Sequence, residues 1–465
     1  MPESDIKPGE RIISDLVVLE PSDPIFKLET RPPIDLAINM ILGRQNGFEI
    51  PFAAVSFAHH LRIPEQNLFH CLFGRDSLLI SNLLNKRLPS LESSVVKALS
   101  TVQGIKFESS SEEEPGRIPH EVRNSNDERA VELMKDGNWH FPYYGAVDAT
   151  LLWVSAVANI AKENPSELDV EVDGIALWQR VIEATKWIIL RMQTPSGLIE
   201  SHRSNPKGIQ NQVWKDSEDS YMHHDGTPAR GDSTASIETV GEAYDALLSA
   251  VEIQKLRPSS MWPESETALL ARADRLQEKL IELLWLGDRF ALGTERIKGD
   301  LQKALDSQAS NQGRLLNSKI LDAPEMLKYR EAIAAAVCDP QLLGDSGLRT
   351  LSSNHPSYRP GGYHTGSAWP MDAVFTARGL TKHGFQKESL LLLSRTKKAV
   401  ESIGGYPEFF RGDSLENGLI TSRVTDVVTE KGLVNRVCQP PQMIQGWTVG
   451  AYAWITDNIK RISSL

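Results

Sequence analysis

Two carboxylates in aromatic surroundings are the residues of this sequence best suited to acid–base chemistry. Asp216 follows Trp214 and Lys215. A carboxyl group against an indole loses solvation, which favours its protonated form, while a neighbouring lysine acts in the opposite direction. Glu408 stands among aromatic residues after a predicted helix and could activate a water molecule. Plainer interpretations are a helix-capping turn for Asp216, and a cap or an ion pair with Arg411 for Glu408.

Polar side chains at two predicted helix starts could hold a sugar ring. Arg75 and Asp76 form one pair, in which Arg donates and Asp accepts hydrogen bonds, as vicinal hydroxyls require. Asp76 could equally be only an N-cap. His364 and Trp369 open another predicted helix, where the plainer interpretation is a helix entry with Trp369 packed beneath it. Two carboxyl groups, polar groups for ring hydroxyls and aromatic faces are what hydrolysis of a glycosidic bond needs.

The elements that must position these residues are predicted to be mostly α-helices, because apolar residues repeat at three- and four-residue intervals. The predicted strands are few, and the best are Ile12–Leu19 and Phe290–Leu292. The first predicted helix has Asp76 or Ser77 placed to cap it. The predicted helices are Ser77–Leu88, Ala146–Lys162, Ile175–Gln193, Ile237–Leu256, Glu264–Leu286, Ala323–Val337, Gly366–His383, Lys387–Ile403 and Pro441–Ile462.

Long loops separate these helices and hold much of the Trp, His and Arg content. Loops above roughly 12–15 residues are uncommon unless they are functional. The sequence therefore predicts an all-α scaffold with one active face. The loops are Lys106–Asn126, Thr194–Thr234, Gly344–Gly366 and Gly404–Pro440.

Composition excludes several classes of function. The 465 residues include 50 Lys and Arg against 61 Asp and Glu, a net charge of −11, which argues against a nucleic-acid surface. No apolar run approaches the roughly 20 residues of a membrane span. Three widely separated cysteines form neither a disulfide framework nor a metal motif. With a polar N-terminus that is unlike a secretory signal, we expect a cytoplasmic protein without metal or cofactor.

Eight segments occur in an order that resembles the amylo-α-1,6-glucosidase family, the glucosidase part of glycogen debranching enzymes. The resemblance runs from about Ile34 to the C-terminus. The segments are FGRDSLL (Phe73–Leu79), EEPGRIPHEVR (Glu113–Arg123), YYGAVDAT (Tyr143–Thr150), NQVWKDSEDSYMHHDG (Asn211–Gly226), DSQASNQGRLL (Asp306–Leu316), GLRTLSS (Gly347–Ser353), YHTGSAWPMD (Tyr363–Asp372) and YPEFF (Tyr406–Phe410).

The resemblance implies an (α/α)6 toroid of six inner and six outer helices, with an active-site funnel at one end. An N-terminal extension, residues 1–30, would precede a catalytic domain, residues 31–465. The implied reaction is inverting hydrolysis that releases a terminal α-linked glucose from a carbohydrate substrate, with Asp216 as general acid and Glu408 as general base. The implied substrate contacts are Arg75, Asp76, Arg123, Trp214, Lys215, His364 and Trp369.

Departures from the family pattern lie where an aglycone or the next sugar would bind. Glu218 replaces a Trp, Met371 replaces a His, the segment Gly313–Asn317 differs, and Gly412–Arg436 is an extra stretch. One alternative is therefore a glycosidase of the same fold acting on a small glucoside or disaccharide, such as trehalose or a glucosylated polyol. Another is a non-catalytic carbohydrate-binding toroid, against which the retained acid and base argue.

Overall fold

Helices dominate the computed structural model, which describes residues 31–55, 69–124, 126–135, 139–298, 301–414, 423–428, 434–439 and 441–464. The predicted strand Ile12–Leu19 and the N-terminal extension, residues 1–30, lie outside the described residues. Within them are thirteen α-helices: α1 (Ile34–Ile41), α2 (Gly74–Leu84), α3 (Leu91–Ser100), α4 (Glu128–Lys135), α5 (Asp148–Glu163), α6 (Leu177–Arg191), α7 (Ile237–Leu256), α8 (Glu266–Leu284), α9 (Asn311–Leu315), α10 (Leu327–Cys338), α11 (Pro370–Lys382), α12 (Gln386–Glu401) and α13 (Gly446–Ser463).

The strands are short and pair antiparallel at the ends of the helices. The largest described sheet has three strands in the order Leu301–Leu305, Gly293–Ile297 and Ser233–Ser236, with Arg296 opposite Ser233. The others form two-stranded ladders. They are Leu42–Gln45 with Phe48–Pro51, Ala54–Val55 with Ile444–Gln445, Leu72–Phe73 with Glu121–Val122, Glu171–Val172 with Ile175–Ala176, Leu343–Gly344 with Gly347–Leu348, and Arg423–Val428 with Val434–Gln439.

All nine predicted helices are present, and Ile237–Leu256 has the predicted bounds. The prediction that Asp76 or Ser77 caps the first of them is wrong. Helix α2 begins at Gly74, its N-cap is Phe73, and no side chain caps it. The Gly74 N–H instead donates to the carbonyl oxygen of His120, 3.0 Å away, because the strand before α2 pairs with the neighbouring segment.

The predicted strands and loops also need correction. The strand expected at Phe290–Leu292 begins at Gly293, where it gains partners on both sides, and Phe290 makes only an isolated bridge to Trp285. The predicted loop Gly404–Pro440 contains an antiparallel hairpin, Arg423–Val428 with Val434–Gln439.

Six helices contact one another in a closed cycle. Helix α2 contacts α5, α5 contacts α7, α7 contacts α9, α9 contacts α11, α11 contacts α13, and α13 returns to α2. Helices α1, α3, α6, α8, α10 and α12 each contact one or two members of this cycle. A cavity of about 280 Å³ is lined by side chains of α2, α5, α7, α9 and α11.

Burial distinguishes the two sets of helices. In α2, a member of the cycle, ten of the eleven residues are buried. In α8, outside the cycle, the buried residues form one stripe at three- and four-residue intervals, as in a surface helix. That stripe is Leu269, Ala273, Leu276, Leu280 and Leu284. Among the described residues, no helix combines the length and apolar character that a membrane span needs.

Candidate active site

Carboxylates stand in the first turns of four helices of the cycle, where the helix dipole favours negative charge. A buried ion pair joins two of these turns, because Arg75 Nε of α2 lies 2.6 Å from Asp148 Oδ2 of α5, with both side chains at most 4% exposed. The site is therefore built around the N-termini of neighbouring helices. The four carboxylates are Asp76 in α2, Asp148 in α5, Glu238 in α7 and Asp372 in α11.

The carboxyl group of Asp76, in the first turn of α2, is affected by the charges of two loop carboxylates, Asp216 and Glu408. Its burial is the largest influence and raises the pKa of Asp76 to about 7. The positive charge of Arg75 acts to lower this pKa, whereas the negative charges of Asp216, Asp148 and Glu408 each raise it. The structure therefore places Asp216 and Glu408 each within electrostatic reach of Asp76.

Arg75 has a buried hydrogen-bond donor, Nη2, that is available to a ligand in this cluster. Burial acts to lower the pKa of Arg75, but the charge of Asp148 and the hydrogen bond to it raise that pKa above its ordinary value. Its Nη2 atom is buried and finds no hydrogen-bond partner among the described residues. A buried donor without a partner is costly, so a ligand hydroxyl placed here would gain a charge-assisted hydrogen bond.

Asp216 lies on a loop that is fixed by its own hydrogen bonds. The Asn211 side chain donates to the carbonyl oxygen of Ser217 at 2.9 Å, and the Ser220 hydroxyl donates to the carbonyl oxygen of Lys215 at 2.6 Å. The Asp216 side chain itself is only partly buried. Helix α7, which follows this loop, has Ser236 as its N-cap, so the Asp216 turn does not cap that helix.

Lys215 points away from bulk solvent and into the fold. Its Nζ donates to the carbonyl oxygen of Thr350 at 2.7 Å, and only 1% of the residue is exposed. Burial lowers the pKa of Lys215 to about 8, while the charges of Asp372 and Glu238 act to raise it. Lys215 thus lies within electrostatic reach of the first turns of α11 and α7.

Glu408 is held by backbone contacts on both sides. Its N–H donates to the carbonyl oxygen of Gln442 at 2.8 Å, and the hydroxyl of Thr448, in the first turn of α13, donates to the carbonyl oxygen of Pro407 at 2.7 Å. The residue is 7% exposed, and its Oε1 accepts a hydrogen bond from the Tyr363 hydroxyl. Tyr363 lies within the segment YHTGSAWPMD, but its contact with Glu408 cannot be predicted from the sequence, because only the fold places the two side chains together.

The plainer interpretation of Glu408 as the partner of Arg411 is wrong. The guanidinium of Arg411 instead pairs with both carboxylate oxygens of Asp413, at 2.9 and 2.5 Å.

Trp214, His364 and Trp369 form a buried aromatic cluster beneath the two loops. The ring centroids of Trp214 and Trp369 are 5.8 Å apart, and His364 stacks on Trp369 at 5.3 Å. Only 2% of Trp214 and 1% of Trp369 is exposed. Trp369 is the N-cap residue of α11 and packs beneath the helix entry, as its plainer interpretation predicted. His364 Nδ1 lies 2.8 Å from the Ser217 hydroxyl, which joins this cluster to the Asp216 loop.

Arg123 follows the short strand that pairs with the residues before α2. Its guanidinium is buried and forms ion pairs with Glu121 and Asp127. Burial acts to lower the pKa of Arg123, but the negative charge of Glu121 acts in the opposite direction. The net result is a pKa above its ordinary value. Arg123 is thus positioned beside the start of α2 by its own loop.

Two of the departures from the family pattern have different surroundings. Met371 is fully buried in α11, so it belongs to the core. Glu218 is partly buried; burial raises the pKa of Glu218, and the charge of Arg203 acts to lower it. Within the described part of the chain, no three His, Cys, Asp or Glu side chains come together as metal ligands would.

A family model for the mannosylglycerate hydrolase MGH1-like glycoside hydrolase domain matches residues 183–413. This range includes Asp216, Lys215, His364, Trp369 and Glu408. No curated protein sequence matches the chain at a significant level.

Solved structures of glycosidases share the fold. The GH63 mannosylglycerate hydrolase from Thermus thermophilus, in complex with Tris and D-glycerate, aligns with a TM-score of 0.58 at 12% identity, over 93% of this chain and 100% of that chain. The same enzyme in complex with glucose aligns with a TM-score of 0.56 at 12% identity, over 91% and 100% of the two chains. A glycosidase variant in complex with glucose gives a TM-score of 0.54 at 13% identity, over 94% and 97%.

The structural neighbours define a shared helical fold, and the family model identifies a glycoside hydrolase domain within it. Neither result selects the amylo-α-1,6-glucosidase family among glycosidases of this fold. Together they show that the chain has the helical fold of these glycosidases and that residues 183–413 match a glycoside hydrolase domain.

Proposed function

We propose that the protein is an inverting glycoside hydrolase in which Asp216 is the general acid and Glu408 the general base. The observation that carries this proposal is the pair of loop carboxylates acting on one buried group, Asp76, at the N-terminus of α2. Two carboxyl groups on opposite sides of a shared space are what inverting hydrolysis requires, at a separation of roughly 6.5–9.5 Å that leaves room for water.

The scaffold of this reaction would be an (α/α)6 toroid formed by residues 31–465. The closed cycle α2, α5, α7, α9, α11 and α13, with six further helices against it, supports this architecture. The site would lie at the end of the ring where the N-termini of the inner helices and the loops of Asp216 and Glu408 meet.

The chemistry follows from the two carboxyl groups. Asp216 would donate its proton to the glycosidic oxygen as the bond from that oxygen to the anomeric carbon breaks. Glu408 would accept a proton from a water molecule as the water oxygen bonds to the opposite face of that carbon. The products are a free sugar of inverted anomeric configuration and an alcohol, and exchange with solvent restores both carboxyl groups.

The other predicted residues would hold the sugar. Arg75 Nη2 is a buried donor suited to a hydroxyl, and Asp76 is an adjacent acceptor or donor according to its protonation. Trp214 and Trp369 are too buried to offer a whole indole face to a sugar. We propose that they pack beneath the polar groups of the site and support them. Arg123, Lys215 and His364 would complete the subsite. They would act largely by fixing its loops.

We propose a small hexoside as the substrate, with the sugar linked to a short polar aglycone. The family-model match supports this choice, since its description names a hydrolase of mannosylglycerate, and one neighbour was solved with D-glycerate and with glucose. A terminal α-1,6-linked glucose of a glucan is the second candidate, and the order of the eight sequence segments favours it. A non-catalytic binder has no need of both carboxylates.

Charge-neutralising variants test the assignment of acid and base. Asp216→Asn and Glu408→Gln should each reduce hexose release by at least about a thousand-fold, because each removes the group that moves a proton. Binding of the intact glycoside, measured by calorimetry, should persist because the side-chain size is unchanged.

Asp225→Asn, on the same loop as Asp216, and Glu401→Gln, at the end of α12, are matched controls that should retain activity. Retained turnover in either test variant would refute the role of that residue.

A further inference from the structure

The side chain of Tyr363 contacts Glu408, the proposed general base. Its hydroxyl donates a hydrogen bond to Glu408 Oε1. The other carboxylate oxygen, Oε2, lies 3.5 Å from the backbone nitrogen of Gln442, which is long for a hydrogen bond. The Tyr363 hydroxyl is therefore in direct contact with the carboxylate of the proposed base.

The position of Tyr363 is fixed by its own surroundings. The Tyr363 carbonyl oxygen accepts hydrogen bonds from the Ser367 hydroxyl at 2.5 Å and from Trp369 Nε1 at 3.0 Å. Its ring packs edge-on against Trp369 and Phe409, with centroid distances of 4.9 and 5.4 Å. Only 8% of the residue is exposed. A rigid donor of this kind can hold a carboxylate in one orientation at little entropic cost.

The loop of Tyr363 is joined directly to the loop of Glu408. Ala368 and Phe410 exchange two backbone hydrogen bonds, both 2.9 Å long. The hydroxyl and the carboxylate are thus held together by the backbone as well as by their own contact.

We infer that Tyr363 is the positioning residue of the general base. It orients the Glu408 carboxylate through Oε1 and stabilises its ionised form. This inference rests on the proposed function, because it gives Tyr363 a role only if Glu408 acts as the base.

Hydrogen bonding to the charged form of a carboxyl group favours that form. Loss of the Tyr363 hydroxyl should therefore make Glu408 harder to ionise. Asp76 is a titrating group within electrostatic reach of Glu408, and Arg75 and Asp216 act on Asp76 in turn. These three groups are unchanged in a Tyr363 variant, so a difference in pH profile reports the lost contact.

The test compares Tyr363→Phe with the wild-type enzyme and with Tyr144→Phe. Tyr144 is another buried tyrosine, and its hydroxyl donates to the carbonyl oxygen of Val102 at 2.8 Å rather than to a carboxylate. For Tyr363→Phe we expect kcat to fall about ten- to a hundred-fold with KM nearly unchanged, because a misplaced base affects the transition state. The acid limb of the pH profile of kcat/KM should move up by about one unit. Tyr144→Phe should keep the wild-type profile.

A second variant keeps the hydroxyl and changes only its strength. With 3-fluorotyrosine at position 363, the hydroxyl becomes a stronger donor while the ring contacts stay, so the acid limb should move to lower pH. Wild-type kcat and pH profiles in both variants would overturn the inference, as would a change confined to KM or to thermal stability. Glu408→Gln, measured in parallel, separates the two levels: activity there refutes the base itself, whereas an inactive Glu408→Gln beside a normal Tyr363→Phe refutes only the role of Tyr363.

Discussion

Asp76 is the residue whose pKa is affected by several charged groups of the candidate site. Its pKa is raised to about 7, first by burial and then by Asp216, Asp148 and Glu408. An acid whose folded pKa lies above its unfolded value of 3.8 contributes stability that is fully present below that value. This stability is lost as the pH rises through the folded pKa. The protein should therefore lose up to about 4 kcal/mol of this contribution between pH 4 and pH 7.5.

Asp76→Asn tests whether burial and the neighbouring carboxylates raise the pKa of Asp76. The amide imitates the protonated carboxyl, so the variant should gain stability relative to the wild type as the pH rises. Melting temperatures measured at pH 4.5 and pH 8 should show a variant-minus-wild-type difference that is more positive at pH 8. Asp345→Asn, at an exposed position, is the control and should show the same difference at both values. A difference for Asp76→Asn that does not change with pH would contradict the placement of these charges.

The candidate residues could be read from the sequence better than their partners could. Asp216 and Glu408 stood out because each carboxylate has aromatic neighbours in the sequence. The partner of Arg75, however, is Asp148, 73 positions away, and the partner of Glu408 is Tyr363, 45 positions away. Such pairs depend on the packing of helices and loops distant in sequence, which local patterns do not contain.

Among the elements, α2 has an unusual start. Gly74 opens it without a side-chain cap, and a Cβ atom there would lie 2.1 Å from the carbonyl oxygen of Pro119. The backbone of the neighbouring segment therefore approaches α2 more closely than any other residue type permits. This close approach sets the positions of the next two residues, Arg75 and Asp76.

Gly74→Ala should consequently reduce both stability and activity. Relief of the clash must move α2 or the segment of Pro119, at a cost of about 1–3 kcal/mol in the free energy of unfolding. Gly450→Ala in α13 is a milder comparison, because its added Cβ would meet the Leu83 side chain at 3.1 Å rather than a backbone atom. Urea unfolding and hexose release should show the larger loss for Gly74→Ala. Equal effects of the two substitutions would contradict the proposed constraint on α2.

Helical periodicity revealed the long amphipathic elements and missed the others. Helix α9 has five residues, too few for a periodic pattern, yet it lies between α7 and α11 in the cycle. The start of α2 differs from the prediction because the Gly74 N–H donates to the carbonyl oxygen of His120 in the neighbouring segment, a contact that no capping pattern contains. The hairpin Arg423–Val428 with Val434–Gln439 lies largely in Gly412–Arg436, the stretch that departs from the family pattern.

At the scale of the whole molecule, closure of the helix cycle depends on α13. This last helix contacts both α11 and α2, and its first turn anchors the loop of Glu408 through Thr448. Stability and site geometry should therefore be coupled through the C-terminal helix.

Ile455→Ala tests that coupling. The side chain is fully buried in α13, so its truncation should cost about 2–5 kcal/mol in the free energy of unfolding. Helical circular dichroism, tryptophan fluorescence and activity should be lost together at a lower urea concentration. Lys460→Ala, at an exposed position of the same helix, should leave the transition in place. Loss of activity well before loss of helical signal would show that α13 can detach from an intact ring.

The stereochemistry of the first product tests the central claim most directly. Proton NMR during hydrolysis of a panel of small α-hexosides, including glucosyl- and mannosylglycerate and an α-1,6-linked glucoside, identifies the anomer before mutarotation. An inverting enzyme that uses Asp216 as acid and Glu408 as base should release the β-anomer first from an α-hexoside. Initial release of the α-anomer would contradict the mechanism, and no turnover of any member of the panel would contradict the proposed function.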